Sequence, residues 1–225
     1  MKIAIITRHN IFNYGSLLQT FALQRFITSK NIKCEVINYV PSEEKILRLA
    51  NTLFTVGRNG NFLYRVIYYL IQTPNLILQD IFFTKFKKKL ILMSKFSISN
   101  KVNNDFELID ADILCSGSDQ LWGRIGTKEY DANYYFNHYS GKKKLISYAS
   151  SFGTDNISGK YAKALVSLLT NFKHISVREF SAKNILNSVG ISNVEVVLDP
   201  VFLLKEFWDD FAADVKYKNY ILLYQ

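Results

Sequence analysis

Hydrophobic positions along this chain fall into short continuous runs that alternate with segments of helical spacing. Residues 3–7 form an unbroken, mostly β-branched run, and residues 16–27 then place Leu18, Phe21 and Phe26 on one helical face. Buried strands of continuous apolar character, separated by amphipathic helices, are typical of a parallel sheet covered on both faces. The pattern therefore predicts an α/β fold.

The same alternation continues along the chain. Further strands are predicted at residues 33–39, 112–115, 144–149, 174–177 and 194–197, and further helices at residues 106–109, 162–169 and 180–189. We therefore predict one N-terminal domain over residues 1–197, built on a parallel sheet.

Residues 42–105 interrupt this alternation and are predicted to be a helical insertion. Apolar side chains recur at helical spacing on both sides of Pro74, which predicts two helices joined at that proline. Residues 85–89 then read KFKKK. Two interpretations fit: a core-packed helix with a solvated basic end, or an apolar face and lysine cluster resting on the anionic inner leaflet of a membrane.

Beyond residue 197 the pattern changes. After Asp199 comes a helix-like segment that contains Phe207 and Trp208, and residues 220–224 then begin another strand. A parallel strand needs a crossover connection and a neighbour. We therefore expect residues 198–225 to hold a connector and the first strand of a second domain that is largely missing from this chain.

Composition adds limits to this picture. With 225 residues, 48% of them hydrophobic, and only 10 Gly and 3 Pro, the sequence suits a sizeable core and is neither disordered nor collagen-like. Cys34 and Cys115 match no metal-binding spacing and are expected to be reduced thiols. Reduced thiols are the default in the cytoplasm, where we expect this protein. The apolar stretch at residues 66–84 is interrupted by polar side chains and is a poor transmembrane candidate.

The formal net charge of +9 invites a nucleic-acid interpretation. Most of the basic side chains are lysines, however, whereas base recognition favours the planar fork of arginine. The chain is also rich in Asn and Ile, which indicates the compositional bias of an AT-rich genome. We therefore expect no nucleic-acid partner, and a basic patch for anionic lipid or a phosphorylated substrate is the remaining interpretation.

Candidate chemistry lies in the loops after the predicted strands, because ligands of open parallel sheets bind outside the carboxyl ends of the strands. After the first strand come Asn13, Tyr14, Gly15 and Ser16. Asn13 or Ser16 is suited to cap the next helix, and Gly15 lets a ligand approach its free N–H groups. The loop lacks the GxGxxG spacing of dinucleotide-binding proteins, and a capped turn without a ligand explains it equally well.

The loop after the strand at residues 112–115 reads SGSDQLW. Ser118, Asp119 and Gln120 combine a hydroxyl, a carboxylate and an amide, and the aromatic ring of Trp122 adds a platform that suits a sugar. Asp119 is a candidate base for a sugar hydroxyl. The alternative is an Asx-turn in which Asp119 and Ser118 bond only their own backbone.

Two further residues complete the candidates. Arg178 is suited to bind a phosphate or a carboxylate, although an ion pair with Glu179 explains it equally. His9 lies near the end of the first strand and is a candidate for acid–base chemistry. The 3 His residues show no zinc-binding spacing, so no metal is expected. Aromatic residues at 134–136 and 139 fit the edge of a core better than a sugar-stacking surface.

Five segments together resemble one protein family. They are NYGSLLQTFAL at residues 13–23, GSDQLW at 117–122, KLISYASSFG at 144–153, ISVRE at 175–179 and LDPVFLL at 198–204. In this order and spacing they are similar to the polysaccharide pyruvyl transferases. The similarity covers most of the chain, with residues 42–105 the least diagnostic part.

The resemblance implies a glycosyltransferase-B-like enzyme with two facing Rossmann-like domains, of which this chain holds the first. Such an enzyme transfers the pyruvyl group of phosphoenolpyruvate to two hydroxyls of a sugar in a cell-surface polysaccharide or its lipid-linked precursor. It forms a ketal and uses no cofactor besides the donor substrate. The family's His-bearing motif of the SFHG kind belongs to the C-terminal half, so we expect this chain to be incomplete as an enzyme.

The resemblance also implies residue roles. Asp119 would act as base or hydroxyl ligand, and Arg178 would contact an anion. The residues that the motifs place along this side of the cleft are Asn13, Tyr14, Gly15, Ser118, Asp119, Gln120 and Trp122.

Two other functions remain open. A transferase with a nucleotide-sugar donor would share this architecture. A non-catalytic protein that docks on a membrane surface would use the apolar and basic segment at residues 62–89. Peripheral contact with the inner face of the cell membrane is therefore an expectation beside the cytoplasmic location.

Overall fold

Parallel strands form the centre of the molecule. The computed structural model describes residues 1–42, 44, 62–98, 105–137, 139–208, 218 and 221. Its strands are β1 (Lys2–Ile6), β2 (Lys33–Tyr39), β3 (Met93–Ile98), β4 (Ile113–Ser116), β5 (Lys144–Ser147), β6 (Phe172–Val177) and β7 (Val194–Val196). They form one all-parallel sheet in the order β3-β2-β1-β4-β5-β6-β7.

Helices connect these strands and cover the sheet. Within the described residues, the α-helices are α1 (Tyr14–Ser29), α2 (Phe62–Leu90), α3 (Gly159–Leu169) and α4 (Phe180–Ser188), and 3-10 segments lie at Asp105–Leu108, Ala132–Tyr135 and Pro200–Phe207. This strand order, with its reversal at β1 and β4, is the doubly wound Rossmann-like arrangement. The predicted α/β fold is confirmed, and the predicted strands lie within two residues of the observed ones.

The sequence of β1 shows why the sheet is covered on both faces. Ile3 and Ile5 pack with Leu23 of α1, whereas Ala4 and Ile6 belong to a cluster on the opposite face. Successive side chains of a strand point to opposite faces, so a strand buried on both sides must be apolar at every position. This is the physical origin of the continuous run at residues 3–6.

The two faces have different cores. On one face, α1, α2 and the 3-10 segment Pro200–Phe207 bury Leu17, Phe21 and Phe83 together. The other core is larger and strongly aromatic. Its largest fully buried side chains include Trp122, Tyr39, Tyr134, Tyr135, Phe106 and Phe136.

The predicted helix break at Pro74 is wrong. One helix, α2, runs from Phe62 to Leu90 with Pro74 inside it. Proline removes one N–H from the helical hydrogen-bond ladder and crowds the preceding turn. Pro74 is exposed, so water can solvate the carbonyl that loses its partner. Within the described residues, no helix has the length and apolar character needed to cross a membrane.

The insertion at residues 42–105 is not helical throughout, since it contains β3. This strand pairs with β2 at the edge of the sheet and buries only Ser94 and Ile98. An edge strand has one neighbour and needs little apolar surface, so its sequence, MSKFSI, shows no run typical of a buried strand. Hydrophobic patterning therefore missed it.

The segment after β7 packs against the same core as α1. The Phe207 ring lies 5.7 Å from that of Phe21, and the Trp208 indole donates a hydrogen bond to the carbonyl of Val201 over 2.8 Å. The strand expected at residues 220–224 lies outside the described residues, apart from the backbone position of residue 221.

Both cysteines are buried. Cys34 and Cys115 are free, and burial raises the pKa of each thiol, that of Cys34 to about 12. A thiol of such high pKa carries almost no nucleophilic thiolate at neutral pH. The two cysteines are therefore structural side chains of the α1-facing core.

Candidate functional site

The strand order reverses between β1 and β4, and two candidate loops meet there. Strands β1 and β4 are hydrogen-bonded neighbours. From β1 the chain continues to β2 and β3 at one edge of the sheet, and from β4 it continues toward β7 at the other edge. A reversal of this kind opens a crevice outside the carboxyl ends of the two strands, which is where open α/β sheets bind ligands. Residues 7–16 form one wall of this crevice, and residues 117–120 form the other.

The β1 loop ends in a capped helix. The Asn13 side chain accepts a hydrogen bond from the backbone N–H of Ser16 over 3.1 Å, so Asn13 is the N-cap of α1. Of the two predicted caps, the structure selects Asn13 and leaves the Ser16 hydroxyl available for another contact. Asn13, Tyr14 and Gly15 are exposed at the mouth of the crevice.

Close backbone packing positions the β4 loop. A side chain at Gly117 would bring its Cβ to 2.7 Å from Cγ2 of Ile5, so only glycine lets the loop pass this close to β1. The Thr7 hydroxyl donates to the carbonyl of Ser118 over 2.8 Å. Asp119 follows with φ of +98°, a backbone conformation that side-chain-bearing residues rarely adopt and that is often kept at functional sites.

Asp119 and Ser16 connect the two loops. The Ser16 hydroxyl donates to Oδ2 of Asp119 over 2.5 Å, and the Gln120 N–H donates to Oδ1 over 2.7 Å. The carboxylate is thereby held at the crevice, partly exposed, beside the first turn of α1. The Asx-turn alternative does not describe Asp119, because its carboxylate reaches a side chain 103 positions away. Sequence reasoning named Ser16 only as a cap and missed this pairing.

Arg178 follows the end of β6, and Asp199 links it to Ser118 of the β4 loop. Its Nη1 lies 3.1 Å from Oδ2 of Asp199, and its Nε lies 3.5 Å from Oε2 of Glu179. The same Asp199 oxygen accepts a longer hydrogen bond, 3.4 Å, from the Ser118 hydroxyl. The structural ion-pair interpretation of Arg178 is thus observed, although its side chain keeps 31% of its surface exposed. Asp199 belongs to the LDP segment but had not been recognised as a site residue.

A buried ion pair supports the crevice from the β2 side. Nε of Arg8 lies 2.7 Å from Oε1 of Glu44, whose side chain is almost fully buried. Burial raises the pKa of Glu44, with further contributions from the charges of Asp119 and Asp131, while Arg8 opposes the shift. Neither Arg8 nor Glu44 was predicted as a site residue, because nothing in the sequence shows that they meet.

Trp122 lies in the core and not along the crevice. Its indole is fully buried and stacks on Tyr135 at 5.3 Å between ring centroids. The predicted sugar platform is therefore replaced by a packing contact, since the ring offers a ligand no surface. Tyr134, Tyr135, Phe136 and Tyr139 are buried as well, which agrees with the expectation of a core edge.

His9 is also enclosed. Its side chain is buried against β2, and among the described residues neither ring nitrogen has a hydrogen-bond partner. Burial lowers the pKa of His9 to about 4, and the charge of Lys87 adds to the shift. The imidazole lies near the crevice in sequence, but it does not reach the surface where a substrate would bind.

The structure therefore divides the predicted residues into two groups. Accessible at the crevice are Asn13, Tyr14, Gly15, Asp119, Gln120 and Arg178. Buried behind it are His9, Ser118 and Trp122. Within the part of the chain that is described, no group of three or more His, Cys, Asp or Glu is arranged to hold a metal ion.

Comparison with protein families gives one finding. A family model described as polysaccharide pyruvyl transferase matches residues 13–225, nearly the whole chain. Comparison with curated proteins gives no match. The matched range begins at Asn13, the cap of α1, and includes both walls of the crevice from that residue onward.

Proposed function

Since this chain belongs to the polysaccharide pyruvyl transferase family, and that family implies a transferase, we propose that it takes part in transfer of a pyruvyl group from phosphoenolpyruvate to a sugar. The acceptor is a sugar of a surface polysaccharide or of its lipid-linked precursor. The single observation that carries the site assignment is the hydrogen bond between Ser16 and Asp119 across the crevice.

The proposed reaction makes a ketal. Two acceptor hydroxyls form C–O bonds to the central carbon of phosphoenolpyruvate, and the bond from that carbon to the phosphate oxygen breaks. Of the two hydroxyl protons, one ends on the terminal carbon, which becomes a methyl group, and the other leaves with phosphate. The reaction therefore needs a base near the acceptor, an acid near the terminal carbon, and positive charge for the carboxylate and phosphate.

Asp119 is the proposed base. Its carboxylate is partly exposed, and the Ser16 hydroxyl and the Gln120 N–H fix its orientation. An acceptor hydroxyl that approaches the exposed part of this carboxylate would donate a hydrogen bond to it and be positioned to lose its proton there. Pre-orientation of this kind lowers the cost of reaching the reactive geometry.

Arg178 is the proposed anion contact. Its guanidinium is already paired with Asp199 and Glu179, so an incoming carboxylate or phosphate would exchange with one of these acidic side chains. Arginine is suited to this exchange because its planar fork binds carboxylate and phosphate in the same bidentate geometry. The first turn of α1, exposed at Tyr14 and Gly15, adds a favourable dipole on the other wall of the crevice.

The test is a transfer assay with the full-length protein, phosphoenolpyruvate and a lipid-linked oligosaccharide, following phosphate release and ketal formation. We expect Asp119→Asn to lower kcat by about 100-fold or more with a smaller change in KM, because an amide cannot accept the hydroxyl proton. Ser16→Ala should lower kcat by about 10-fold, since it removes only one hydrogen bond that orients the base.

The matched control is Asp110→Asn, which removes a carboxylate that contacts Lys2 at the amino end of β1, away from the crevice. Its kinetic constants should equal those of the unchanged protein. Wild-type kinetics in Asp119→Asn would contradict the assignment of the base. Transfer from a nucleotide-sugar, with none from phosphoenolpyruvate, would replace the proposed reaction with glycosyl transfer on the same fold.

A further inference from the structure

One face of helix α2 packs against the rest of the protein. Leu76 and Phe83 on that face are buried, and the Phe83 ring makes edge contacts with Phe12 at 5.6 Å and with Tyr14 at 5.7 Å. These contacts attach α2 to the β1 loop and to α1. The opposite face of the helix therefore points away from the sheet.

That opposite face is apolar and exposed. Ile71 and Phe82 each keep 62% of their surface accessible, and the exposed apolar side chains recur at helical spacing. They are Ile67, Ile71, Ile77, Leu78, Ile81 and Phe82. Single apolar residues are common on protein surfaces, but a contiguous row along one helix face marks an interaction surface.

The same face becomes basic in its last turns. Lys85, Lys88 and Lys89 are exposed and continue the row beyond Phe82. Asp80 is the helix's one carboxylate in sequence, and it is half-buried on the other side. An apolar row followed by exposed lysines is complementary to a surface that has hydrocarbon below a layer of negative charge.

We infer that α2 docks this protein on an anionic lipid bilayer, with the helix lying in the plane of the interface. The exposed apolar side chains enter the boundary between headgroups and acyl chains, and the three lysines contact lipid phosphates. Stable peripheral attachment of a protein generally needs two such signals, and this face of α2 supplies both. The interaction surface is defined as Ile67, Ile71, Ile77, Leu78, Ile81 and Phe82 together with Lys85, Lys88 and Lys89.

Docking through α2 would also bring the crevice to the membrane. Tyr14, at the mouth of the crevice, contacts both Phe83 and Phe86 of this helix. If the proposed function holds, an acceptor attached to a lipid would therefore be presented close to Asp119. The docking itself rests only on the surface of α2 and not on the reaction.

The test is co-sedimentation of the protein with vesicles in the absence of any substrate. Vesicles of phosphatidylcholine are compared with vesicles that also contain about 30 mol % phosphatidylglycerol, which supplies a negative surface potential. We expect binding to the anionic vesicles that weakens at high salt, because screening reduces the attraction of the lysines.

Two sets of substitutions separate the contribution of the lysines to binding from that of the apolar side chains. Changing Lys85, Lys88 and Lys89 together to Gln should lower the partition coefficient roughly 100-fold, since each lysine near an anionic surface contributes about one factor of five. Ile71→Gln combined with Phe82→Gln should lower it by about 10-fold or more. These side chains are exposed, so circular dichroism spectra should not change.

Control variants carry Lys→Gln and Phe→Gln substitutions at exposed positions outside α2. Lys142, Lys160 and Lys163, all exposed, are changed to Gln to give the same net charge. Phe180 and Phe202, also exposed, are changed to Gln to remove similar apolar surface. Both controls should bind vesicles as the unchanged protein does.

Three outcomes would overturn the inference. They are no binding of the unchanged protein to anionic vesicles, equal loss of binding in the control variants, and a dimer in solution that the α2 substitutions dissociate without any vesicle binding. Such a dimer would show that the exposed face of α2 binds a second copy of this chain. Since no substrate is present, loss of transferase activity and loss of docking are measured separately.

Discussion

At the scale of single residues, burial controls the protonation of His9. The side chain is 1% exposed, and burial followed by the charge of Lys87 lowers its pKa to about 4. The Lys87 ammonium is held nearby by a hydrogen bond of 2.8 Å to the Asn10 side chain. The folded protein therefore keeps the imidazole neutral, whereas an unfolded chain protonates it below a pH of about 6.5.

This difference predicts a loss of stability in mild acid. Between pH 6.5 and 4 the unfolded state binds a proton at His9 that the folded state does not, so the free energy of unfolding falls as the pH falls. From pH 7 to pH 5 the contribution of His9 should be a loss of about 2 kcal/mol. Urea unfolding at both pH values measures it.

Variants isolate the contribution of His9. His9→Gln and His9→Leu cannot titrate, so either should show a smaller pH dependence than the unchanged protein. His174→Gln, at an exposed position of β6, should retain the full dependence. Equal slopes for the His9 variants and the unchanged protein would show that another group is responsible.

At the scale of elements, the loops are positioned by backbone contacts that leave no room for side chains. A Cβ at Gly123 would lie 2.3 Å from the carbonyl oxygen of Phe152, and the neighbouring Trp122 N–H donates to the Ser151 carbonyl over 3.0 Å. The loops after β4 and β5 are thus joined directly through their backbones. The crevice residues on the β4 loop depend on this junction.

Gly123→Ala should destabilise the protein by about 2 kcal/mol, because the obstructing atom belongs to the backbone and cannot rotate away. Gly159→Ala at the start of α3 is the matched substitution, since no heavy atom lies within 4 Å of its added Cβ. It should stabilise by about 0.5–1 kcal/mol through the unfolded state. Thermal unfolding distinguishes the two, and similar effects of both would contradict the junction described above.

At the scale of the whole molecule, one sheet connects two cores. Trp122 lies in the aromatic core, and Trp208 packs with Phe21 on the face formed by α1 and α2. Strands buried on both faces contribute side chains to both cores, as β2 does with Val36 on the Phe21 side and Ile37 in the aromatic core. A sheet shared in this way should make unfolding of the two cores one cooperative transition.

The two tryptophans allow the unfolding of each core to be measured separately. In Trp122→Phe the fluorescence reports the α1 face, and in Trp208→Phe it reports the aromatic core. In each variant the midpoint by fluorescence should coincide with the midpoint by far-ultraviolet circular dichroism. An earlier fluorescence transition in Trp122→Phe alone would show that the segment after β7 detaches before the sheet unfolds.

Much of the architecture follows from local patterns. Residues 33–39 were predicted as a strand and are β2 without change, and the helix after β1 begins at the predicted loop. Strand β3 was missed because an edge strand needs few apolar residues, and the break at Pro74 was wrong because an exposed helix can contain a proline. Local patterns report burial and backbone preference, and both exceptions arise where burial is low.

The sequence by itself determined the α/β fold, the positions of most strands, the loops that carry the candidate chemistry and the resemblance to a transferase family. Only the tertiary structure decided that Ser16 meets Asp119, that Arg178 meets Asp199, and that Trp122 is in the core. Strand order fixes which distant loops become neighbours, and hydrophobic periodicity along a strand does not encode that order. The residues of the crevice could therefore be named from the sequence, but their pairing could not.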